Sequence, residues 1–112
     1  MKILVTGGAG FIGSHLCEKL VLEGHSIKVI DNFSIGRKSN LNIIKNKIKI
    51  YNKDIRNYDL IKKLFKDIDV VFHLAALADI VPSIENPDEY YSTNVTGTYN
   101  VLKLSSENKV KR

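Results

Sequence analysis

The stretch TGGAGFIGSH, residues 6–15, stands between a short apolar run and an amphipathic segment. The run before it, KILVT at 2–6, suits a strand buried on both faces of a parallel sheet. Residues 12–23 follow a helical period that places Ile12, Leu16, Leu20 and Val21 on one face, and Gly24 stops the helix. Between them Gly7, Gly10 and Gly13 have the spacing G-x-x-G-x-x-G. A tight strand-to-helix turn needs backbone conformations that a Cβ resists. A phosphate needs close approach to the N–H groups at a helix N-terminus, where the dipole favours an anion. Gly13 lets the helix pack closely on the strand. Residues 7–17 contain no carboxylate, the first acid being Glu18, so the anion is left to a ligand. The competing interpretation is a purely structural turn.

Downstream, SIKVI at 26–30 forms a second strand that ends at Asp31. Asp31 lies 18 residues beyond Gly13, near the roughly 20-residue interval of an acid that holds an adenosine ribose. A carboxylate there accepts the 2′- and 3′-hydroxyls and repels a 2′-phosphate, which favours NAD over NADP. Arg37 and Lys38 follow closely enough to tolerate a phosphate, and a solvated loop acid is the plain alternative. NFSIGRKSN at 32–40 is a loop, with a helical turn at 41–45. KIKIYN at 47–52 alternates lysine and isoleucine, as in a strand with one wet face near a sheet edge. YDLIKKLFKD at 58–67 is an amphipathic helix, and DVVFHLAA at 69–76 is a fourth strand apolar enough for burial on both faces. Asn86 is a good N-cap, Pro87 suits the first helical position, and Glu89 completes a capping box for a helix from 87 to about 108. Strand and helix alternate throughout. The alternation implies an α/β fold with a parallel sheet and right-handed crossovers. The glycine turn and Asp31 resemble the N-terminal half of a Rossmann-type doubly wound parallel sheet, which implies about four strands in the order 3-2-1-4.

The 112 residues allow one domain, with 44% hydrophobic and 26% charged residues as in a soluble globular chain. The net charge of +5 comes from dispersed lysines without the aromatic interleaving that a base-stacking surface would need, which argues against nucleic acid. No apolar run is long enough to span a membrane, and MKILVTGG is too short for a signal peptide. Cys17 stands alone, so no disulfide framework forms, and a cytoplasmic location is expected. His15 and His25 show no metal-ligand spacing with a cysteine or acid.

Five motifs in order carry a family resemblance: TGGAGFIGSHL at 6–16, DNFSIGRKSNL at 31–41, DIRN at 54–57, HLAA at 73–76 and YYSTNVTGTYNVL at 90–102. Together they resemble the extended short-chain dehydrogenase/reductases, in particular the NAD-dependent sugar-nucleotide epimerase/dehydratase group. DNFSIGRKSNL is most similar to UDP-glucose 4-epimerases and their close relatives. The resemblance implies roles at matching positions. Phe11 and Ile12 would lie beside the pyrophosphate with Gly7, Gly10 and Gly13. Asp31, Asn32, Ser34 and Gly36 would surround the adenosine ribose. Asp54 would bond the adenine amino group, with Ile55 against the ring. Leu74, Ala75, Ala76 and Ala78 would line the path to the nicotinamide. Thr93 falls where some members place an asparagine near the cofactor, and Ser83 lies in a loop near the substrate in relatives. Lys53 and Ala78 depart from common family residues, as does LADI at 77–80.

The resemblance implies NAD as cofactor, with a UDP-sugar or other sugar nucleotide as substrate of the full enzyme. In the full enzyme, the resemblance implies, NAD would take a hydride from the sugar, a keto intermediate would form, and the hydride would return. It also implies a homodimer through helix 87–108, in which Tyr91, Val95, Thr98 and Leu102 form a stripe distinct from that of Tyr90, Val101 and Leu104. The family's catalytic Tyr-x-x-x-Lys segment and its substrate domain are expected after residue 112, so residues 1–112 are expected to be a partial NAD-binding domain without turnover. The alternative is a non-catalytic dinucleotide-binding or scaffolding module. YNVLK at 99–103 has the spacing of the catalytic pair, but it precedes the expected active-site strand. Tyr99 is therefore expected to pack and Lys103 to be solvated. His73 is expected to be a satisfied histidine at a strand end, and Cys17 a small core residue.

Overall fold

The protein is described by a computed structural model covering residues 1–112. Its strands are β1 (Lys2–Thr6), β2 (Ser26–Asp31), β3 (Ile48–Asn52) and β4 (Val70–His73). They form one parallel sheet, as the strand–helix alternation implies, in the order β3-β2-β1-β4 expected of a Rossmann-type half. Helix α1 (Phe11–Leu22) follows β1, α2 (Tyr58–Ile61) follows β3 and continues as a 3₁₀ turn, Lys62–Phe65. After β4 come α3 (Ile80–Glu85), α4 (Pro87–Tyr91), a π-helical segment (Ser92–Gly97) and α5 (Thr98–Glu107).

Strand alternation sends neighbouring side chains to two cores. Ile3 and Val5 of β1 join Ile27, Val29, Cys17 and Leu20 beneath α1. Leu4 points the other way and joins Ile30, Ile61, Phe65, Val101 and Leu104. The central strand is thus buried on both faces, as its composition predicts. Cys17 is fully buried, and burial pushes its thiol up to about 12, so it remains a protonated core residue.

Several expectations need correction. The buried face of α1 is Gly13, Ser14, Cys17 and Leu20, and Ile12 is exposed. Gly13 sets this rotation, because its close approach to the strand–turn backbone brings its own face inward. Strand β4 is only half-buried along its length. It is the last strand of the sheet, and its outer edge carries only the C-terminal residues, with Lys111 N–H on the Asp69 carbonyl at 3.0 Å and Val71 N–H on the Arg112 carbonyl at 2.9 Å. That edge is therefore partly paired.

The segment before the last helix is helical (α3), not a loop. The capping box at Asn86 does not form. The Asn86 N–H is already committed to the Pro82 carbonyl at 2.8 Å, which ends α3, so nothing remains for Glu89 to reach back to. The helix from Pro87 to Glu107 is nearly the expected span, but it passes through the unforeseen π segment. Its two stripes separate only in part: Val101 and Leu104 cover the sheet and Tyr91, Val95 and Leu102 remain exposed, but Thr98 turns inward, half-buried, with its hydroxyl 2.8 Å from His73 Nε2. Tyr99 is 61% exposed, so it does not pack within this chain.

Candidate functional site

A cleft opens at the carboxyl ends of all four strands, where ligands bind in open α/β sheets. The glycine loop forms one wall. Gly7 has φ of +71°, and a Cβ there would lie 2.7 Å from the Ala75 nitrogen, so turn and strand end meet backbone to backbone. A Cβ on Gly13 would lie 2.2 Å from the Gly7 oxygen. Gly10 differs: a Cβ there would meet only the Gly7 oxygen, at an ordinary 3.4 Å. Packing does not require that glycine, yet it lines the cleft. It is also the N-cap of α1, with no side-chain cap and no acid in the first turn. The N–H groups of Phe11, Ile12 and Gly13 have no carbonyl partner, which leaves a cluster of donors at the positive helix end.

Asp31 closes the opposite side at the tip of β2. It is 8% exposed. Its Oδ2 accepts the Ala9 N–H at 3.0 Å and its Oδ1 accepts the Phe33 N–H at 2.8 Å. A carboxylate has about four acceptor positions, so each oxygen keeps one for a further donor. Gly36 lies so close that a Cβ would stand 3.0 Å from Asp31 Oδ2. Asn32 and Ser34 line the cleft beside it.

Behind β3, Asp54 sits in a fork of Arg56. The Arg56 Nε and Nη2 donate at 3.0 and 2.7 Å, the Arg56 backbone N–H at 2.9 Å, and the Asn32 amide at 3.1 Å. The Arg56 hydrogen bonds hold the Asp54 carboxyl down at about 2, against the smaller upward effect of burial. These donors occupy the acceptor positions of Asp54, a competition for the expected adenine contact that the motif alone did not reveal. Arg56 also reaches the Ser92 hydroxyl at 3.3 Å, tying this loop to the last helix. Ile55 is buried, and its carbonyl accepts the Asn100 amide at 2.9 Å.

The fourth wall is the segment after β4. Leu74, Ala75 and Ala76 line the cleft with Thr93. Asn94, in the π segment, accepts the Leu77 N–H and donates to the Leu77 carbonyl, both at 2.8 Å, which clamps this wall to the helix. His73 is satisfied, as expected, by Thr6 at 2.6 Å and Thr98 at 2.8 Å.

The cleft thus gathers Gly7, Gly10, Asp31, Asn32, Ser34, Gly36, Asp54, Ile55, Leu74, Ala75, Ala76 and Thr93 from the expected set. Gly13 is buried beneath the loop, and the side chains of Phe11 and Ile12 face solvent. Ala78 and Ser83 lie outside the lining; the Ser83 hydroxyl is spent on the Ile80 carbonyl of its own helix. Arg56, Glu89 and Leu77 line the cleft without having been anticipated. The Asp-x-Arg spacing in DIRN was the available signal for Arg56. Lys103 places its Nζ 4.8 Å from the centre of the Tyr58 ring, so YNVLK contributes nothing to the cleft. No group of three or more His, Cys, Asp or Glu could hold a metal ion. No helix is long and apolar enough to cross a membrane.

Comparison with known proteins agrees with this geometry. The model of the NAD dependent epimerase/dehydratase family matches residues 3–112. UDP-glucuronic acid decarboxylase 1 of Danio rerio is 41% identical over 104 residues, which cover 93% of this chain and 24% of that protein. The UDP-glucose 4-epimerase of Thermotoga maritima, solved with UDP-glucose, superposes with a TM-score of 0.93 at 38% identity, covering 99% of this chain and 36% of that one. The dTDP-glucose 4,6-dehydratase DesIV of Streptomyces venezuelae, solved with NAD bound, gives a TM-score of 0.92 at 30% identity, covering 98% of this chain and 37% of that one. The chain therefore spans roughly a third or less of the length of the relatives it matches.

Proposed function

This chain belongs to the NAD dependent epimerase/dehydratase family, and from that premise we propose that it is the NAD-binding portion of a sugar-nucleotide epimerase or dehydratase. The cofactor of the family is NAD. The residues present fit it. Gly10 leaves a cradle that a Cβ would fill, although packing does not demand a glycine there. Three unpaired N–H groups face that space from the helix end, suited to a pyrophosphate. The Asp31 carboxylate keeps two acceptor positions free for ribose hydroxyls.

The carrying observation is Gly10, because its lack of a side chain serves a ligand and not the fold. In this assignment Gly7 shapes the turn, and Phe11, Ile12 and Gly13 offer their N–H groups to the pyrophosphate. Asp31, with Asn32, Ser34 and Gly36 around it, holds the adenosine ribose. Ile55 borders the adenine, and Asp54 reaches its amino group when one of its present donors yields. Leu74, Ala75, Ala76 and Thr93 guide the nicotinamide end, and Ala78 stands beyond the lining. Bound NAD supplies the hydride acceptor and donor for chemistry on the sugar; this chain's residues bind and orient it. Ser83 is retained only as a substrate-proximal position.

The full enzyme is proposed to act on a UDP-sugar or another sugar nucleotide, the class that the relatives' names share. Residues 1–112 alone are proposed to bind NAD without turnover, since the one Tyr-x-x-x-Lys spacing in the last helix lies off the cleft. Association as a homodimer through helix 87–108 is proposed from the exposed Tyr91, Val95, Tyr99 and Leu102. The test is parallel titration with NAD and NADP. Preference for NAD supports the assignment; a folded sample that binds neither removes it.

A further inference from the structure

Beneath the cleft, His73 joins three elements through hydrogen bonds. Its Nδ1 lies 2.6 Å from Thr6 Oγ1 on β1, and its Nε2 lies 2.8 Å from Thr98 Oγ1 on α5. Thr6 is fully buried. Its hydroxyl also meets the backbone N–H of Leu74 at 3.1 Å and that of Ala75 at 3.2 Å. A hydroxyl donates one bond and accepts two. Both backbone groups can only donate, so they take both acceptor positions. The Thr6 proton therefore points at His73 Nδ1, which must be unprotonated. The ring carries its single proton on Nε2 and donates it to Thr98. The partners alone assign this tautomer.

We propose that neutral His73 is a positioning residue for the cofactor cleft: it orients the Thr6 hydroxyl that helps pin Leu74 and Ala75, and its protonation loosens that hold. The proposal rests on the cofactor assignment for its consequence and on the hydrogen-bond pattern for its mechanism. An imidazolium carries N–H on both nitrogens. Its Nδ1–H would face a hydroxyl whose lone pairs are already committed. Thr6 must then turn its own proton away and give up one backbone N–H; Leu74 falls back on the Thr6 carbonyl, 3.0 Å away, so the hydroxyl loosens its hold on this strand end. Leu74 and Ala75 line the cleft against Gly7, so slackening there reaches the glycine loop.

The groups facing the ring, Thr6 from β1 and Thr98 from α5, are uncharged, and no acidic or basic side chain contributes to its titration. Burial alone holds the ring below the usual histidine range. The sign follows. The folded state prefers the neutral ring, so the network is intact at neutral pH. Its cost appears as pH falls below about 6.5, the unfolded value, and saturates below the lower folded value.

The experiment is a nitrogen-15 NMR titration of the whole chain from about pH 8 to about pH 5, beside NAD calorimetry on wild type and His73→Asn. The His73 ring is expected as the Nε2–H tautomer, with the Leu74 and Ala75 amide resonances moving at the His73 midpoint. Wild-type NAD affinity is expected to fall by about fivefold in total as pH drops through that midpoint. His73→Asn is expected to bind about fivefold more weakly at neutral pH and to lack this acid limb; His15 and His25 are present in both proteins and cancel. An Nδ1–H tautomer, static Leu74 and Ala75 amides, or identical acid limbs in both proteins would overturn the proposal. Because tautomer and amides are read without NAD, a chain that fails to bind NAD still tests the network, and that failure counts against the cofactor assignment alone.

Discussion

The Asp31 carboxylate accepts the Ala9 backbone N–H at 3.0 Å, so the end of β2 is bonded directly to the middle of the glycine loop. One acidic side chain thus supports the fold and faces the cleft. Asp31→Ala leaves a buried N–H unpaired, with an expected cost of about 1–3 kcal/mol in stability, seen in thermal melts. It should also weaken NAD more than NADP, because the lost acceptor serves the ribose hydroxyls. Equal losses for the two cofactors would refute the ribose assignment.

Two glycine substitutions separate folding from binding. Gly13→Ala puts a Cβ 2.2 Å from the Gly7 oxygen, and overpacking of that kind costs about 1–3 kcal/mol or more. Gly10→Ala meets nothing closer than 3.4 Å, so its stability cost stays under about 1 kcal/mol. In the proposed assignment its Cβ would occupy the approach to the pyrophosphate, and NAD affinity should drop about tenfold or more. Melts and calorimetry on both variants check the pair. A Gly10→Ala protein that binds NAD like wild type would remove the main support for the site.

The fork of Arg56 on Asp54 has a pH consequence. The folded carboxyl, at about 2, lies below its ordinary 3.8. Its contribution to stability is therefore present above the ordinary value and is lost as pH falls from there through the folded one. Arg56→Ala should return the Asp54 titration toward the ordinary value, read from the side-chain carboxyl carbon by NMR. An unchanged midpoint would show that the fork is not its cause.

Asn100 is buried and donates to the carbonyls of Ile55 and Arg56 at 2.9 and 3.1 Å. Asn100→Ala leaves both without that donor, at an expected cost of about 1–3 kcal/mol. The loop carrying Asp54 should loosen with it, which faster amide exchange at residues 54–56 would report.

The exposed stripe on the last helix bears on assembly. Leu102, 65% exposed, lies in line with Val95 and Tyr91. Leu102→Glu should leave the melting temperature of the monomer nearly unchanged and reduce the dimer fraction in sedimentation. A wild-type chain that stays monomeric at high concentration would refute association through this face.

The legible part of the molecule was the part governed by local backbone rules. Gly7 and Gly13 announce a strand–turn–helix because close approach forbids a Cβ there, and Asp31 is found by its distance along the chain. Contacts fixed only by packing were not legible. The Asn94 clamp on Leu77 spans 17 residues and depends on a π turn with no sequence mark. Arg56 stands in the DIRN motif, but its return onto Asp54 is made by the loop after β3, which the motif does not describe. Ile12 fits the apolar stripe of α1, yet the helix turns on Gly13 and leaves Ile12 in solvent. Asn86 has the composition of a cap but spends its N–H on ending the previous helix.

The central claim is that this cleft binds NAD in preference to NADP. Titration calorimetry of the wild-type chain with each cofactor, at about pH 7.5 where His73 is neutral, tests it most directly. The expected result is one NAD bound per chain, more tightly than NADP. A sample shown to be folded that gives no heat with either cofactor, or that prefers NADP, would contradict it.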